Sequence, residues 1–363
     1  MNFSSADHQH MARALQLAER GLYTTRPNPR VGCVLVKEGV VVGEGYHRRA
    51  GGPHAEVEAL QAAGEQARGA TAYVSLEPCS HFGRTPPCAD ALVEAGVARV
   101  VAAMEDPNPR VAGQGLRRLQ EAGIEVVAGL MAAEAEALNV GFVSRMRRGR
   151  PWVRVKLASS LDGRTAMASG ESKWITSAAA RRDVHRLRAR SDAVVTGIGT
   201  VLADDPSLTV RDFELPAAGS GQPLRVVLDR GLRFPAAARM LGCEGETLIV
   251  YGPEAASRDI SGAELLRLSR PDIGAVLELL AQREINEVLV ESGPTLAGAC
   301  VMEGWADELV FYMAPHLMGH DGAPLLRLPG IGSMAERIGL DIIEVRSVGP
   351  DLRITAKPSQ AAG

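Results

Sequence analysis

Pro53-His54-Ala55-Glu56-Val57, followed by Leu76-Glu77-Pro78-Cys79 and then by Cys88, decides the reading of the first half of this chain. One imidazole and two thiolates are soft ligands, and three protein ligands with one open position are what a catalytic zinc site requires. A structural zinc site would be closed by a further Cys or His, and His47 and His81 are the nearby candidates for that role. Glu56 is left over as a free carboxylate. Bound zinc lowers the pKa of its water from about 15.7 to roughly 7, so hydroxide is available at neutral pH. A neighbouring acid must then carry protons, and Glu56 is placed to do so.

Working outward, Met11, Leu15, Ala18 and Leu22 recur at helical spacing and predict a helix over His8 to Arg20. Val31 to Val36 and Val40 to Val42 are apolar runs split by Glu38-Gly39, which predicts a β-hairpin. A second helix is expected from Pro53-His54 to about Gln66, with His54 and Glu56 in its first turn. Unpaired N–H groups and partial positive charge there favour a carboxylate and a neutral ligating imidazole. A strand over Ala70 to Leu76 delivers Cys79 from its end, and a helix starting near Pro87 carries Cys88. Strand Ala98 to Met104, helix Gln114 to Ala122, strand Ile124 to Ala128 and a helix near Ala132 to Arg147 complete a three-layer domain.

The basic stretch Arg145-Met146-Arg147-Arg148-Gly149-Arg150-Pro151 marks a linker, and its cations complement a helix C-terminus. The domains are therefore taken as 1–147 and 148–363. New elements begin at Trp152 to Ser159. Strands are expected over Ala193 to Thr196, Leu224 to Asp229, Thr247 to Tyr251, Glu287 to Glu291, Glu308 to Met313 and Ile342 to Val348. Helices are expected near Ser177 to Arg190, Asp272 to Arg283 and Leu296 to Glu303, and Lys357 to Gly363 is expected to fray. No G-x-G-x-x-G follows the first strand of this half. Two glycine-rich strand-to-helix turns, Thr196 to Thr200 and Ser292 to Gly298, can present backbone N–H groups to a phosphate.

Length and composition agree with two α/β domains: 363 residues, 46% hydrophobic and only 4% aromatic, with Ala, Val, Leu and Gly dominant. A formal net charge of −3 argues against a nucleic-acid partner and favours small molecules. The cysteines Cys33, Cys79, Cys88, Cys243 and Cys300 are an odd set with no disulfide framework; Cys33, Cys243 and Cys300 read as ordinary buried or half-buried thiols. No leader pattern and no run of eighteen apolar residues is present, so a cytoplasmic protein without membrane contact is expected.

H-x-E followed by P-C is the signature of the zinc nucleobase deaminases, in which the Glu is general acid/base. Here Cys79 and Cys88 are eight residues apart rather than two, and the string from Leu76 to Cys88, with Pro27-Asn28-Pro29-Arg30-Val31-Gly32 upstream, resembles the deaminase half of the bifunctional riboflavin-biosynthesis deaminase/reductase family. Gly45-Tyr46-His47 and Ser80-His81 match the same pattern, which implies pocket residues. Lys156 to Arg164, Gly170 to Thr176 and Thr200 to Arg211 resemble the reductase half, and the likeness runs from about Met11 to Pro350.

That resemblance implies a cytidine-deaminase-like zinc domain followed by a dihydrofolate-reductase-like α/β domain, with Zn2+ and NADPH as cofactors. His54, Cys79 and Cys88 would hold zinc, Glu56 would move protons and Asn28 would orient the pyrimidine. Ala158, Trp174, Thr200, Asp204 and the turn Gly293, Pro294, Thr295, Leu296, Ala297, Gly298, Ala299 would hold NADPH. Ser172, Arg188, Leu208, Arg211 and Glu291 would hold a pyrimidine ribose-phosphate, with Lys156 and Asp204 steering protons or charge. A surface lysine and a helix-capping aspartate are the plainer readings of those two, as a core residue is for Trp174. Asp162-Gly163 reads as a tight turn, and at Leu228-Asp229-Arg230 the Arg stands where the family often has Ser. A homo-oligomer is expected from family habit. A deaminase with a non-catalytic nucleotide-binding second half and a zinc-stabilised oligomeriser are the competing classes; cytidine and tRNA adenosine deaminases are disfavoured by the long Cys79 to Cys88 loop and by charge.

Overall fold

The computed structural model describes residues 3–80, 86–109, 111–213 and 221–359. The chain forms two compact units, the first running to Gly149 and the second starting at Arg150. The first begins with α1 (Ser5–Glu19), opened by a capping box in which Ser4 and Asp7 satisfy each other's backbone N–H groups. Strands β1 (Gly32–Lys37) and β2 (Val40–Tyr46) form the expected hairpin. Glu38 and Gly39 turn it with φ of 50° and 78°, as a two-residue hairpin turn demands.

Next come α2 (Ala55–Ala63), β3 (Thr71–Val74), α3 (Cys88–Glu94), β4 (Arg99–Ala102), α4 (Gln114–Glu121), β5 (Glu125–Ala128), α5 (Ala132–Leu138) and α6 (Val140–Arg148). The sheet order is β2-β1-β3-β4-β5, antiparallel across the hairpin and parallel from β3 to β5. Alternate residues of β1 go to opposite cores: Cys33 and Leu35 pack with Ala55, Ala59 and Leu92, while Val34 and Val36 pack with Met11, Ala14 and Ala135. This is the three-layer arrangement the sequence predicts.

Two helices differ from expectation. The helix expected to reach Gln66 ends at Ala63 and continues as a 3-10 turn over Gly64–Ala67, because Gly64 adopts φ of 55°. The single helix expected over Ala132 to Arg147 breaks at Asn139, whose side chain accepts from Arg30 N at 2.8 Å and donates to Arg30 O at 2.9 Å. An asparagine that pairs like a strand neighbour competes with helix continuation. Arg145, Arg147 and Arg148 fall in the last turn of α6, where cations suit the dipole.

The second unit contains β6 (Trp152–Ser160), β7 (Arg164–Ala166), α7 (Ala178–Arg190), β8 (Ala193–Gly197), α8 (Ile198–Asp204), β9 (Leu224–Leu228), β10 (Thr247–Tyr251) and β11 (Glu264–Arg267). It continues with α9 (Ile273–Gln282), β12 (Glu287–Glu291), α10 (Pro294–Met302), β13 (Glu308–Ala314), β14 (Ala323–Pro324), β15 (Leu340–Val348) and β16 (Asp351–Pro358). Nine strands form one sheet in the order β11-β10-β9-β8-β12-β6-β13-β16-β15, parallel up to β13 and antiparallel beyond. Val153, Val155 and Val288 face the core with α9 and α10, while Val194, Leu289 and Val310 face the core with α7 and α8. Both faces are covered over the central strands, whose middle residues read as continuous apolar runs, whereas the edge strand β15 is exposed.

Lys357 does not fray: it pairs with Asp341 in the β15–β16 hairpin and its ammonium lies 5.4 Å from the Trp152 ring centroid. Asp162-Gly163 is the tight turn expected, with Gly163 at φ of 75°.

A β-carbon on Gly298 of α10 would lie 2.0 Å from the Arg327 carbonyl oxygen, a backbone atom held in place by Arg327 N donating to Pro294 O at 3.0 Å. Gly298→Ala is therefore expected to cost about 1–3 kcal/mol, read as a lowered urea midpoint of the full-length protein.

Candidate metal centre and reductase site

The three metal-ligand candidates come from three different places in the first unit. His54 is the N-cap of α2 rather than a first-turn residue, Cys79 lies on the irregular segment after β3, and Cys88 is the first residue of α3. Their donor atoms lie within 4.8 Å of one another. His54 Nδ1 is 3.2 Å from Cys88 Sγ and 3.6 Å from Cys79 Sγ. Metal bonds of about 2.0 to 2.3 Å in a tetrahedron give edges of roughly 3.5 Å, so the donors fit zinc with one position open.

The electrostatics suit a cation. Hydrogen bonding with Cys88 holds the Cys79 thiol down, while the same bond and burial push Cys88 up; as zinc ligands both would act as thiolates. Hydrogen bonding with Cys79 raises His54. Glu56 is 3% exposed, and burial pushes its carboxyl up to about 7. A carboxyl poised near neutrality can both accept and return a proton.

Asn28 stands in line with this centre. Its side-chain nitrogen is 3.1 Å from His47 Nε2, His47 Nδ1 is 2.9 Å from the Pro53 carbonyl oxygen, and the His47 and His54 rings meet edge-on at 5.4 Å. His47 is buried, its pKa is lowered by that burial, and it is not part of the three-residue cluster among the described residues. His81 lies outside the described residues.

In the second unit, β6 and β12 are adjacent parallel strands that place Lys156 and Glu291 in register. Lys156 Nζ is 3.9 Å from Glu291 Oε2, and Arg188 of α7 grips the same carboxylate with Nε at 2.5 Å and Nη2 at 2.9 Å. Burial would raise Glu291, but the Arg188 charge and hydrogen bonds outweigh it and, with Lys156, hold the carboxyl down at about 2. Burial lowers Lys156, which feels Glu291, Arg188 and Asp204. Lys156 is therefore no surface lysine: its side chain is 20% exposed and set among fixed charges.

Around it, Ser172 Oγ is 3.4 Å from Asp204 Oδ1, and Lys173 Nζ donates to the Asp204 carbonyl at 3.0 Å. Asp204 is the last residue of α8, so it does not cap a helix N-terminus. Gly293, the N-cap of α10, donates from its N–H to Thr200 Oγ1 at 3.1 Å, which brings the two glycine-rich turns together. Arg211 hydrogen-bonds Ser207 Oγ, and its backbone N–H donates to His185 Nδ1 at 3.1 Å. Leu208, buried, adopts φ of 49°. Ala158 sits near the end of β6.

Trp174 is 71% exposed, with the Arg181 guanidinium 4.4 Å from its ring centroid, so it is not a core residue. Arg188 is engaged by Glu291 and by the Thr209 carbonyl at 2.9 Å, an ion pair that no sequence spacing announces. Arg230 is exposed after β9. Cys33 and Cys300 are fully buried and Cys243 half-buried.

Fold and donor set together define a cytidine-deaminase-like zinc domain and, after it, a reductase domain of the dihydrofolate-reductase-like α/β class. Residues 4–104 match the cytidine and deoxycytidylate deaminase zinc-binding region, and residues 151–354 match the RibD C-terminal domain. The riboflavin biosynthesis protein RibD of Escherichia coli (strain K12) is 54% identical over 95% of this chain and 98% of its own. Acinetobacter baumannii RibD superposes with a TM-score of 0.92 at 47% identity, covering 98% of this chain and 99% of that one. The diaminohydroxyphosphoribosylaminopyrimidine deaminase/5-amino-6-(5-phosphoribosylamino)uracil reductase of Thermotoga maritima gives 0.87 at 34% identity, with 98% and 99% covered. The chain belongs to the RibD family of riboflavin biosynthesis proteins. Zinc and NADPH, the cofactors expected from the sequence, fit its two domains.

Because Glu291 is held below its ordinary 4.5, its ion pair adds stability that is present above pH 4.5 and is lost as pH falls toward about 2. Glu291→Gln leaves Arg188 buried and unpaired, which is expected to cost about 3–5 kcal/mol near neutrality. Urea midpoints of wild type and variant are expected to stand apart at pH 7 and to converge below pH 4.5.

Proposed function

We propose that this chain is a bifunctional riboflavin-biosynthesis enzyme. The first domain, 1–147, converts 2,5-diamino-6-(5-phosphoribosylamino)pyrimidin-4-one to its oxo product with release of ammonia. The second, 148–363, reduces the ribosyl side chain to ribityl. The observation that carries it is the zinc-fitting triad of His54, Cys79 and Cys88 beside the buried Glu56, in a chain similar over almost its whole length to deaminase/reductases.

Zinc, when bound, supplies Lewis acidity toward a water, and NADPH supplies the reducing equivalent. Glu56 takes one proton from the water and gives it to the ring nitrogen, then passes the proton remaining on the added hydroxyl to the amine, which leaves as ammonia; its elevated pKa lets it act in both directions near neutral pH. Asn28 orients the pyrimidine, and the α2 N-terminus keeps His54 and Glu56 beside positive backbone charge.

In the second domain, NADPH is assigned to the turn from Gly293 to Ala299 at the start of α10, to Thr200 and Asp204 of α8, and to Ala158 and Trp174. The first-turn N–H groups of α10 face outward for a phosphate, as such termini do. Arg211, with Ser172 and Leu208, holds the ribose phosphate through its planar fork. Arg188 acts by fixing Glu291, which then presents oxygen to a sugar hydroxyl. Lys156 and Asp204 supply charge and protons beside the reacting sugar carbon.

A cytoplasmic setting is supported by five free cysteines, and among the described residues no helix is long and apolar enough to cross a membrane. Self-association is supported by Leu340, Ile342, Ile343 and Val345, which lie exposed along the sheet-edge strand β15 and suit a second copy across a two-fold axis.

Mass spectrometry of the pyrimidine substrate incubated with zinc-loaded protein tests both reactions. Amino-to-oxo exchange without NADPH, then gain of a hydrogen pair only with NADPH, is the expected result. Exchange that never proceeds to reduction would leave a deaminase with a binding module. Glu56→Gln is expected to lose about 10²–10⁴-fold in deamination while retaining zinc and reduction. In light scattering the wild type is expected at a multiple of 38.4 kDa and Ile342→Glu at a lower multiple.

A further inference from the structure

We infer, on the functional reading above, that helix α4 is an outer clamp on both cysteine ligands, with Glu77 and Arg118 as positioning residues for the deamination. The segment from Glu77 to Ser80, which carries Cys79, has no helix or strand of its own. Something outside it must fix where the sulfur points. Glu77 is 3% exposed, and its two oxygens accept four backbone N–H groups: Asp106 at 3.0 Å and Gly113 at 2.9 Å on Oε2, Gly115 at 2.8 Å and Leu116 at 3.3 Å on Oε1.

Gly113 is the N-cap of α4, and Gly115 and Leu116 lie in its first turn, so these are donors that no intrahelical carbonyl reaches. A carboxylate at that end is also favoured by the helix dipole. Glu77 is thus a helix cap supplied from a distant part of the chain. The contact is close: a β-carbon on Gly115 would lie 1.9 Å from the carbonyl oxygen of Pro78, the residue before Cys79.

Arg118 stands three residues beyond Gly115 and so on the same side of α4. Its Nη1 donates to the Ser80 carbonyl at 3.4 Å and its Nη2 to Asp90 Oδ2 at 2.7 Å. Glu77, Pro78 and Ser80 bracket Cys79, and Asp90 shares the first turn of α3 with Cys88. One helix therefore grips the two otherwise separate segments whose sulfurs must meet at one ion. Zinc coordination does not require either residue, and neither touches a ligand atom. Their effect is on the spacing of the thiolates, and through it on metal affinity and on the open position.

Full-length Glu77→Gln, Arg118→Ala and Arg118→Lys test this with three readouts: zinc affinity by chelator competition, the thiolate-to-metal and d–d bands of the cobalt-substituted protein, and deamination kcat and KM. Glutamine keeps one accepting oxygen but sets an NH2 group against two N–H donors. Glu77→Gln is expected to weaken zinc binding by about 10–100-fold, the range typical of groups that orient metal ligands. Its cobalt bands are expected to shift, and at saturating zinc kcat falls while KM holds. Arg118→Ala shows the same pattern to a smaller degree, and Arg118→Lys recovers part of it.

NADPH-dependent reduction by the second unit serves as the control for folding and stays at the wild-type rate. A stability loss without change in zinc affinity, cobalt spectrum or kcat overturns the clamp. Should Glu77→Gln not fold, Arg118→Ala decides alone, since that side chain is 44% exposed and its removal leaves the core intact. A wild type that neither binds zinc nor deaminates would instead sink the functional reading.

Discussion

Burial of the central strands of both large sheets on both faces is the constraint from which the rest of this structure follows. Central strands such as β1, β8 and β12 are covered above and below, and their middle residues, Cys33 to Val36, Val194 and Val195, and Val288 to Val290, are apolar on both faces. Charged groups within the strands, such as Arg154 of β6 and Arg225 of β9, are held by partners, and most of the candidate chemistry collects where strands end and helices begin. Cys79 follows β3, Gly197 ends β8, Glu291 ends β12, and His54, Cys88 and Gly293 stand at the starts of α2, α3 and α10. At the three helix starts the same geometry supplies N–H groups that no intrahelical carbonyl reaches; Cys88 N–H turns to Cys79 Sγ and Gly293 N–H to Thr200 Oγ1.

How much of this was legible beforehand depends on whether the information is local. The string Pro53 to Val57 with Pro78, Cys79 and Cys88 picks out the His54, Cys79 and Cys88 cluster that could hold a metal ion, because residue type and spacing carry that information. The Glu38-Gly39 turn and the apolar runs of the central strands are equally local. What was missed is set by partners far along the chain. Asn139 breaks a helix because it pairs with Arg30, and β16 carries Lys357 into the sheet because β15 lies beside it. The short edge strand β11 shows no run distinct from a loop. The ion pair of Arg188 with Glu291, 103 positions away, is likewise announced by no spacing.

Buried charge elsewhere in the molecule is compensated with care. Arg154, 1% exposed, lies between Glu287 at 3.3 Å and Glu308 at 2.6 Å. Asp183, 4% exposed, accepts from Tyr312, Arg346 and Arg353. Arg225, also 1% exposed, is satisfied by the carbonyls of Cys243, Glu244 and Gly245. Breaking any one of these would strand an ion in a medium that cannot solvate it. They are the structural use of charge.

Glu56 is treated differently, and the contrast argues for its role. It is as buried as Glu77, yet where Glu77 receives four N–H groups, Glu56 has no guanidinium partner among the described residues, and burial drives its carboxyl up to about 7. A group kept short of compensation costs stability, and the two acids therefore divide the labour: one is saturated and fixes a ligand segment, the other is left able to change its protonation state. In the second unit the division recurs, with Glu291 saturated by Arg188 and Lys156 lowered by burial beside it. A reacting centre needs both kinds of residue, since a proton carrier is effective only against donors and acceptors that do not move.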